Sequence, residues 1–118
     1  MKPEDADGYL GRGSMKSIQN NYAEAISFYD KAIQYEPNNA VTFLNRGNAK
    51  YALKDTKGAL PDYIKVSQLQ PNNVNVYFNL GTIYMTQNKS NEAIEAFKKY
   101  NSGLPNEWSG YKNTADVY

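Results

Sequence analysis

The feature that constrains this chain most is a period of 34 residues. Gly13, Gly47 and Gly81 are separated by that interval, and so are Ala25, Ala59 and Ala93. One aromatic series runs through Tyr29, Tyr63 and Phe97, and another through Tyr9, Phe43, Tyr77 and Tyr111. Pro37, Pro71 and Pro105 keep the same spacing, each followed by an asparagine (Asn38, Asn72, Asn106). A fixed period of this length marks a chain built from one supersecondary unit. Such a unit cannot bury its apolar face alone, so neighbouring copies must stack.

Each unit reads as two amphipathic helices, A and B. In the first unit Ala25, Ile26, Tyr29, Ala32 and Ile33 fall on one stripe of a helix, the pattern of a face turned to a core. The periodic glycine and alanine are small because helices A and B cross closely there, and a bulky side chain at either would force them apart. The turns Pro37-Asn38-Asn39 and Pro71-Asn72-Asn73 stop helix B, and the last asparagine can cap the next helix A. The pattern predicts helices near residues 6–19, 23–35, 40–53, 57–69, 74–87 and 91–102. Pro61 falls inside a helix B, where it removes one backbone bond and crowds the Lys57 carbonyl unless that helix starts late or bends. Gly103 is expected to end the last helix B early.

Counted from Ala6, Ala40 and Val74, the units place an aromatic at position 4, glycine at 8, alanine at 20, an aromatic at 24 and proline at 32. This resembles the tetratricopeptide repeat over residues 6–106. Position 7 departs from it, being Arg12 and Arg46 where the family often has leucine, and position 11 is Lys16 and Lys50 where tyrosine is usual. The resemblance implies an all-α solenoid of antiparallel helix-turn-helix hairpins in a right-handed superhelix. One domain over residues 1–118 is expected, with repeats at about 6–39, 40–73 and 74–107. Trp108–Tyr118 continues the frame and reads as a helix. It is either a cap on the last repeat or the start of a fourth in a longer array.

Composition excludes most chemistry. The chain has no cysteine and no histidine, which removes disulfides, thiolate sites and the commonest general base and metal ligand. No metal or cofactor is expected. A net charge of +1 carries no basic excess, so neither nucleic acid nor an anionic membrane is expected as a partner. No segment has the length of a signal peptide core or a membrane span, and with the missing cysteines this points to the cytoplasm. Gly8, Gly11 and Gly13 lie on a helix rather than after a strand and make no phosphate loop. Glu92 and Glu95 share a helical face but read as solvated, and catalysis is not expected.

The function expected from the resemblance is the binding of a protein or peptide segment. In the family, positions 2, 5, 6, 9, 12 and 13 of helix A point into a concave groove. Unit one places Asp7, Leu10, Gly11, Ser14, Ser17 and Ile18 there. Unit two supplies Val41, Leu44, Asn45, Asn48, Tyr51 and Ala52, and unit three Asn75, Phe78, Asn79, Thr82, Met85 and Thr86. A carboxamide offers one acceptor and two donors, so Asn45 and Asn79 can each pair with both backbone groups of an extended peptide. Leu10, Leu44 and Phe78 form an apolar row beside them. The candidate site is therefore Leu44, Asn45, Asn48, Tyr51, Asn75, Phe78, Asn79 and Thr82. Tyr9, Tyr29, Tyr63, Tyr77 and Tyr111 fall at packing positions, and Tyr51 is the tyrosine expected to face a partner. Self-assembly through the repeat ends is the alternative reading.

Family members that hold acidic chaperone tails use a carboxylate clamp of lysines, asparagines and an arginine. At the clamp positions this chain has Leu10, Ser14, Asn45, Asn75 and Asn79, and Asn45 alone matches. Without cations there is little to hold a carboxylate by charge-assisted bonds. Peptides with acidic chaperone-like tails should therefore bind no better than the same peptides amidated at the C-terminus. A preference for the free carboxylate that salt abolishes, measured by fluorescence anisotropy, would contradict this reading.

Overall fold

The computed structural model describes residues 3–103 of the chain, and the helix expected at Trp108–Tyr118 lies outside them. Within the described residues the fold is all-α: α1 (Pro3–Ile18), α2 (Tyr22–Tyr35), α3 (Ala40–Ala52), α4 (Thr56–Leu69), α5 (Val74–Thr86) and α6 (Ser90–Ser102). Helices α1 and α2, α3 and α4, and α5 and α6 pack as hairpins, and α2 meets α3 as α4 meets α5, so each hairpin stacks on the next.

The turns within the hairpins share a device that the residue types do not advertise. Asn20, Lys54 and Asn88 each adopt positive φ (64°, 70° and 60°) and are 34 residues apart. The next residue's N–H reaches back to a carbonyl in the last turn of helix A: Asn21 to Lys16 (2.8 Å), Asp55 to Lys50 (2.8 Å) and Lys89 to Tyr84 (2.9 Å). This closes the helix end on a left-handed residue and satisfies carbonyls that would otherwise lack partners. Asparagine tolerates that conformation, while a lysine there is strained by roughly 1 kcal/mol or more. Between hairpins, Asn39 caps α3 by accepting from the Val41 N–H at 3.0 Å. Asn73, at the same register, makes no such bond and instead donates to the Gln70 side chain at 3.1 Å. Asp55 caps α4 through the Gly58 N–H at 2.9 Å, and the helix runs on through Pro61, which is exposed. Gly103 does end α6, but at φ −88°. The glycine is needed there because a Cβ would collide with the Val74 side chain at the start of α5.

The core follows the periodic residues. Ala25, Ala59 and Ala93 are fully buried, as are Tyr29 and Tyr63. A Cβ built on Gly13 would lie 2.6 Å from the Tyr29 ring; on Gly81 it would lie 2.6 Å from Phe97, and on Gly47 3.0 Å from Tyr63. The aromatic ring of helix B thus abuts the backbone of helix A, and this contact, as much as the alanine, demands glycine. Tyr9 and Tyr77 pack as expected but are only half-buried, Tyr77 against the core cluster around Tyr63 and Leu80. Tyr9 stacks on Tyr35 at 5.8 Å, and Tyr77 donates its hydroxyl to the Pro71 carbonyl at 3.0 Å. Tyr111 lies outside the described residues.

The two departures at positions 7 and 11 of the second unit find their reason in the fold. Arg46 donates from Nε and Nη2 to the two carboxylate oxygens of Asp62 (3.0 and 2.7 Å) and from Nη1 to Asp30 (2.8 Å). Lys50 adds a fourth charge, 3.5 Å from Asp62. Asp62 is 2% exposed, and burying a charge is costly unless it is paired and hydrogen-bonded, as it is here by Arg46 and Lys50. The bonds to Asp62 raise the guanidinium's pKa above its ordinary value, against the opposing effect of burial and with a further contribution from Asp30. The cluster joins α2, α3 and α4 and so ties the first hairpin to the second.

Two outcomes are expected from denaturation. Gly47→Leu and Ala59→Leu each overpack the middle hairpin and should lower stability by about 1–3 kcal/mol or more. Urea midpoints equal to the parent's would show that the crossing is misplaced. Asp62→Ala leaves the Arg46 charge half-buried with one partner lost and should cost about 2 kcal/mol or more. Arg46→Leu with Asp62→Ala, the pair found 34 residues on as Leu80 and Ala96, should recover most of that loss. A double variant less stable than Asp62→Ala alone would mean the ion cluster is net stabilising.

Candidate partner-binding face

Helices α1, α3 and α5 share one face, and it carries two clefts at the junctions between hairpins. The first, about 320 Å³, is lined by Ser14, Ser17 and Ile18 of α1, Tyr22 and Tyr29 of α2, and Asn45, Asn48, Ala49 and Ala52 of α3. The second, about 130 Å³, is lined by Tyr51, Tyr63, Phe78, Asn79 and Thr82. Among the described residues no charged side chain lines either cleft. The candidate residues thus divide, with Asn45 and Asn48 at the first and Tyr51, Phe78, Asn79 and Thr82 at the second. Two do not join them. Leu44 is half-buried against the core cluster around Phe43 and Val76, and Asn75 is exposed at the start of α5 away from both clefts. Leu10 likewise packs against Ala25, Tyr29 and Ala49. Of the expected apolar row, Phe78 is the exposed member, and Leu10 and Leu44 are half-buried.

Phe78 is 48% exposed, although its ring tilts against Phe97 (5.9 Å) and Tyr100 (5.2 Å) of α6. Ile18, Val41, Tyr51 and Met85, all at groove positions, are exposed as well. Most of the large apolar side chains left in water among the described residues therefore lie on this face. Single exposed apolar residues are ordinary, whereas several on one face form the kind of surface that partners commonly cover.

The polar groups divide into those already engaged and those left open. Asn48 accepts a hydrogen bond from the Tyr63 hydroxyl at 2.6 Å. Ser17 and Tyr29 share one at 3.0 Å, and Thr82 donates to the Phe78 carbonyl at 3.0 Å. Among the described residues Asn45 and Asn79 have no such partner. Burial, then the neighbouring Tyr51 and Asp62, pushes the Tyr63 hydroxyl up to about 12, so it stays a donor at any physiological pH. Sequence reasoning assigned Tyr29 and Tyr63 to the core alone. The structure gives each a second role, since the ring is buried and the hydroxyl emerges at a cleft. The available signal was the choice of tyrosine over phenylalanine. Phe97, at the same register in unit three, has no hydroxyl to place.

The TPR repeat family matches the chain over residues 13–54 and again over 47–88. The chain belongs to the TPR repeat family. Among solved structures similar to this TPR chain, MamA superposes with a TM-score of 0.82 at 22% identity, over 86% of this chain and 60% of that one. The first TPR of Spaghetti (RPAP3), solved bound to the HSP90 peptide SRMEEVD, gives a TM-score of 0.82 at 25% identity, over 90% and 84% of the two chains. The TPR domain of P58(IPK) gives 0.80 at 28% identity, over 86% of this chain and 28% of that one. The chain thus spans less than two thirds of MamA and of P58(IPK). No curated protein matches the sequence. No helix of the described TPR residues is long and apolar enough to cross a membrane.

Proposed function

We propose that this TPR chain is a non-catalytic binding module whose α1–α3–α5 face holds an uncharged, apolar-anchored segment of a partner protein. The observation that carries the reading is the concentration of exposed Ile18, Val41, Tyr51, Phe78 and Met85 on a face whose clefts hold no charge. Phe78 and Tyr51 offer side-chain contacts at the second cleft. Asn45 and Asn79 stand one per cleft with open carboxamides, suited to the backbone of the bound segment. The structurally similar first TPR of Spaghetti carries an acidic peptide. With leucine, serine and asparagines at its clamp positions, this chain suits a different segment.

The test starts from a partner captured by pull-down and mapped to the bound segment. Removing a carboxamide that is paired in the complex costs on the order of 1 kcal/mol, more if the partner group is left buried. Asn45→Ala combined with Asn79→Ala should therefore weaken binding by roughly ten-fold or more while leaving the melting temperature nearly unchanged. If that double variant binds as tightly as the parent, and changes at Ser27 or Lys98 on the B helices weaken binding instead, the face assigned here is not the site.

A further inference from the structure

The ion cluster at the first junction has a counterpart at the second that is stripped of charge. Thirty-four residues after Asp30, Arg46 and Asp62 stand Ile64, Leu80 and Ala96, and Tyr84 replaces Lys50. At the first junction the Arg46 side chain spans from α2 to α4 and fills the space between them. At the second, the small Ala96 and the shorter Leu80 leave a cleft of about 410 Å³ between α4 and α6, floored by α5. Ile64, Tyr77, Leu80, Tyr84 and Ala96 line it, and most of its surface is apolar. This opening lies on the B-helix side of the stack, away from the two clefts described above.

The rim carries a sign. Glu92 and Glu95, one turn apart on α6, border the cleft. Among the described residues neither forms an ion pair. Lys99 also borders it, with its ammonium 5.4 Å from the centre of the Tyr77 ring. Because α6 runs antiparallel to α5 in the hairpin, Lys99 stands at the Tyr77 end and the two glutamates at the Tyr84 end. The cleft is thus an apolar slot with an acidic mouth at one end.

We propose that this slot between α4 and α6 docks a partner helix bearing an aliphatic or aromatic anchor flanked by arginine or lysine. The anchor takes the space over Ala96 and Leu80 that Arg46 fills one repeat earlier, and the basic flank meets Glu92 and Glu95. Burial of the anchor supplies affinity, and the charges set its orientation and suppress acidic competitors. This site is independent of the α1–α3–α5 face, so the chain can hold two segments at once.

The probe is a capped, alanine-based helical peptide carrying leucine and tryptophan four residues apart with two arginines beside them, titrated into the isotope-labelled full chain. Amide shifts of Ile64, Ser67, Glu92 and Glu95 should saturate. The same peptide with glutamates for arginines should bind at least ten-fold more weakly. Glu92→Lys with Glu95→Lys, a surface change that leaves the core alone, should reduce affinity for the arginine peptide by at least ten-fold. Ala96→Phe, which installs the residue unit one has as Phe28, should plug the slot and abolish the shifts. Asn45→Ala with Asn79→Ala should change nothing here. The proposal is overturned if no saturable shift occurs up to millimolar peptide, if both peptides bind alike, or if the shifts map to Asn45 and Asn79. It is equally overturned if the free protein shows contacts from residues 104–118 or from a second copy already filling the slot.

Discussion

In each hairpin the ring of a helix-B aromatic lies against the bare backbone of a helix-A glycine, Tyr29 on Gly13, Tyr63 on Gly47 and Phe97 on Gly81. That contact sets how near the two helices come, and the alanine one turn earlier on helix B closes the same gap. Dense interiors tolerate neither a void nor an extra methylene at such a crossing. Once the crossing distance is set, the remaining side chains of helix A are apportioned between the core, the neighbouring hairpin and solvent. The position of Asn45, Tyr51, Phe78 and Asn79 at the clefts follows from it. So does the emergence of the Tyr29 and Tyr63 hydroxyls at that same face.

The two junctions between hairpins solve one packing problem in different ways. The first buries a carboxylate and surrounds it with Arg46, Lys50 and a shared Asp30. The second uses Ile64, Leu80 and Ala96, which carry no desolvation penalty but leave an open slot. A buried ion pair is weak evidence for stability, since desolvation offsets much of the attraction. Its geometry here is bidentate, which restricts how α3 and α4 can slide and so acts on alignment. The second junction is also the smaller one, with α4 and α5 meeting over less surface than α2 and α3.

On the α1–α3–α5 face, the residues proposed to meet a partner also serve the fold. Tyr63 is core by its ring and cleft by its hydroxyl, and its bond to Asn48 orients that carboxamide before any partner arrives. Phe78 is steadied by Phe97 and Tyr100 while half of it remains in water. Side chains held in place beforehand lose less entropy on binding, which is the advantage of building a recognition face on packed helices.

The sequence by itself determined the repeat, the six helices to within a few residues, the turns between hairpins and the residues at each crossing, because all of these answer to periods and local chemistry that one chain displays directly. Several things were decided only in three dimensions. Leu44 is half-buried because it packs against the cluster around Phe43 and Val76, and no periodicity separates a groove-lining leucine from one that leans on the core. Arg46 and Lys50 looked like departures from a pattern until Asp30 and Asp62 arrived from other helices to meet them. Asn20, Lys54 and Asn88 share a left-handed backbone, which the lysine in the middle unit conceals. The slot over Ala96 exists because of what is missing between two helices. An absence of volume is a property of neighbours brought together by folding, and it cannot be read from residues taken one at a time.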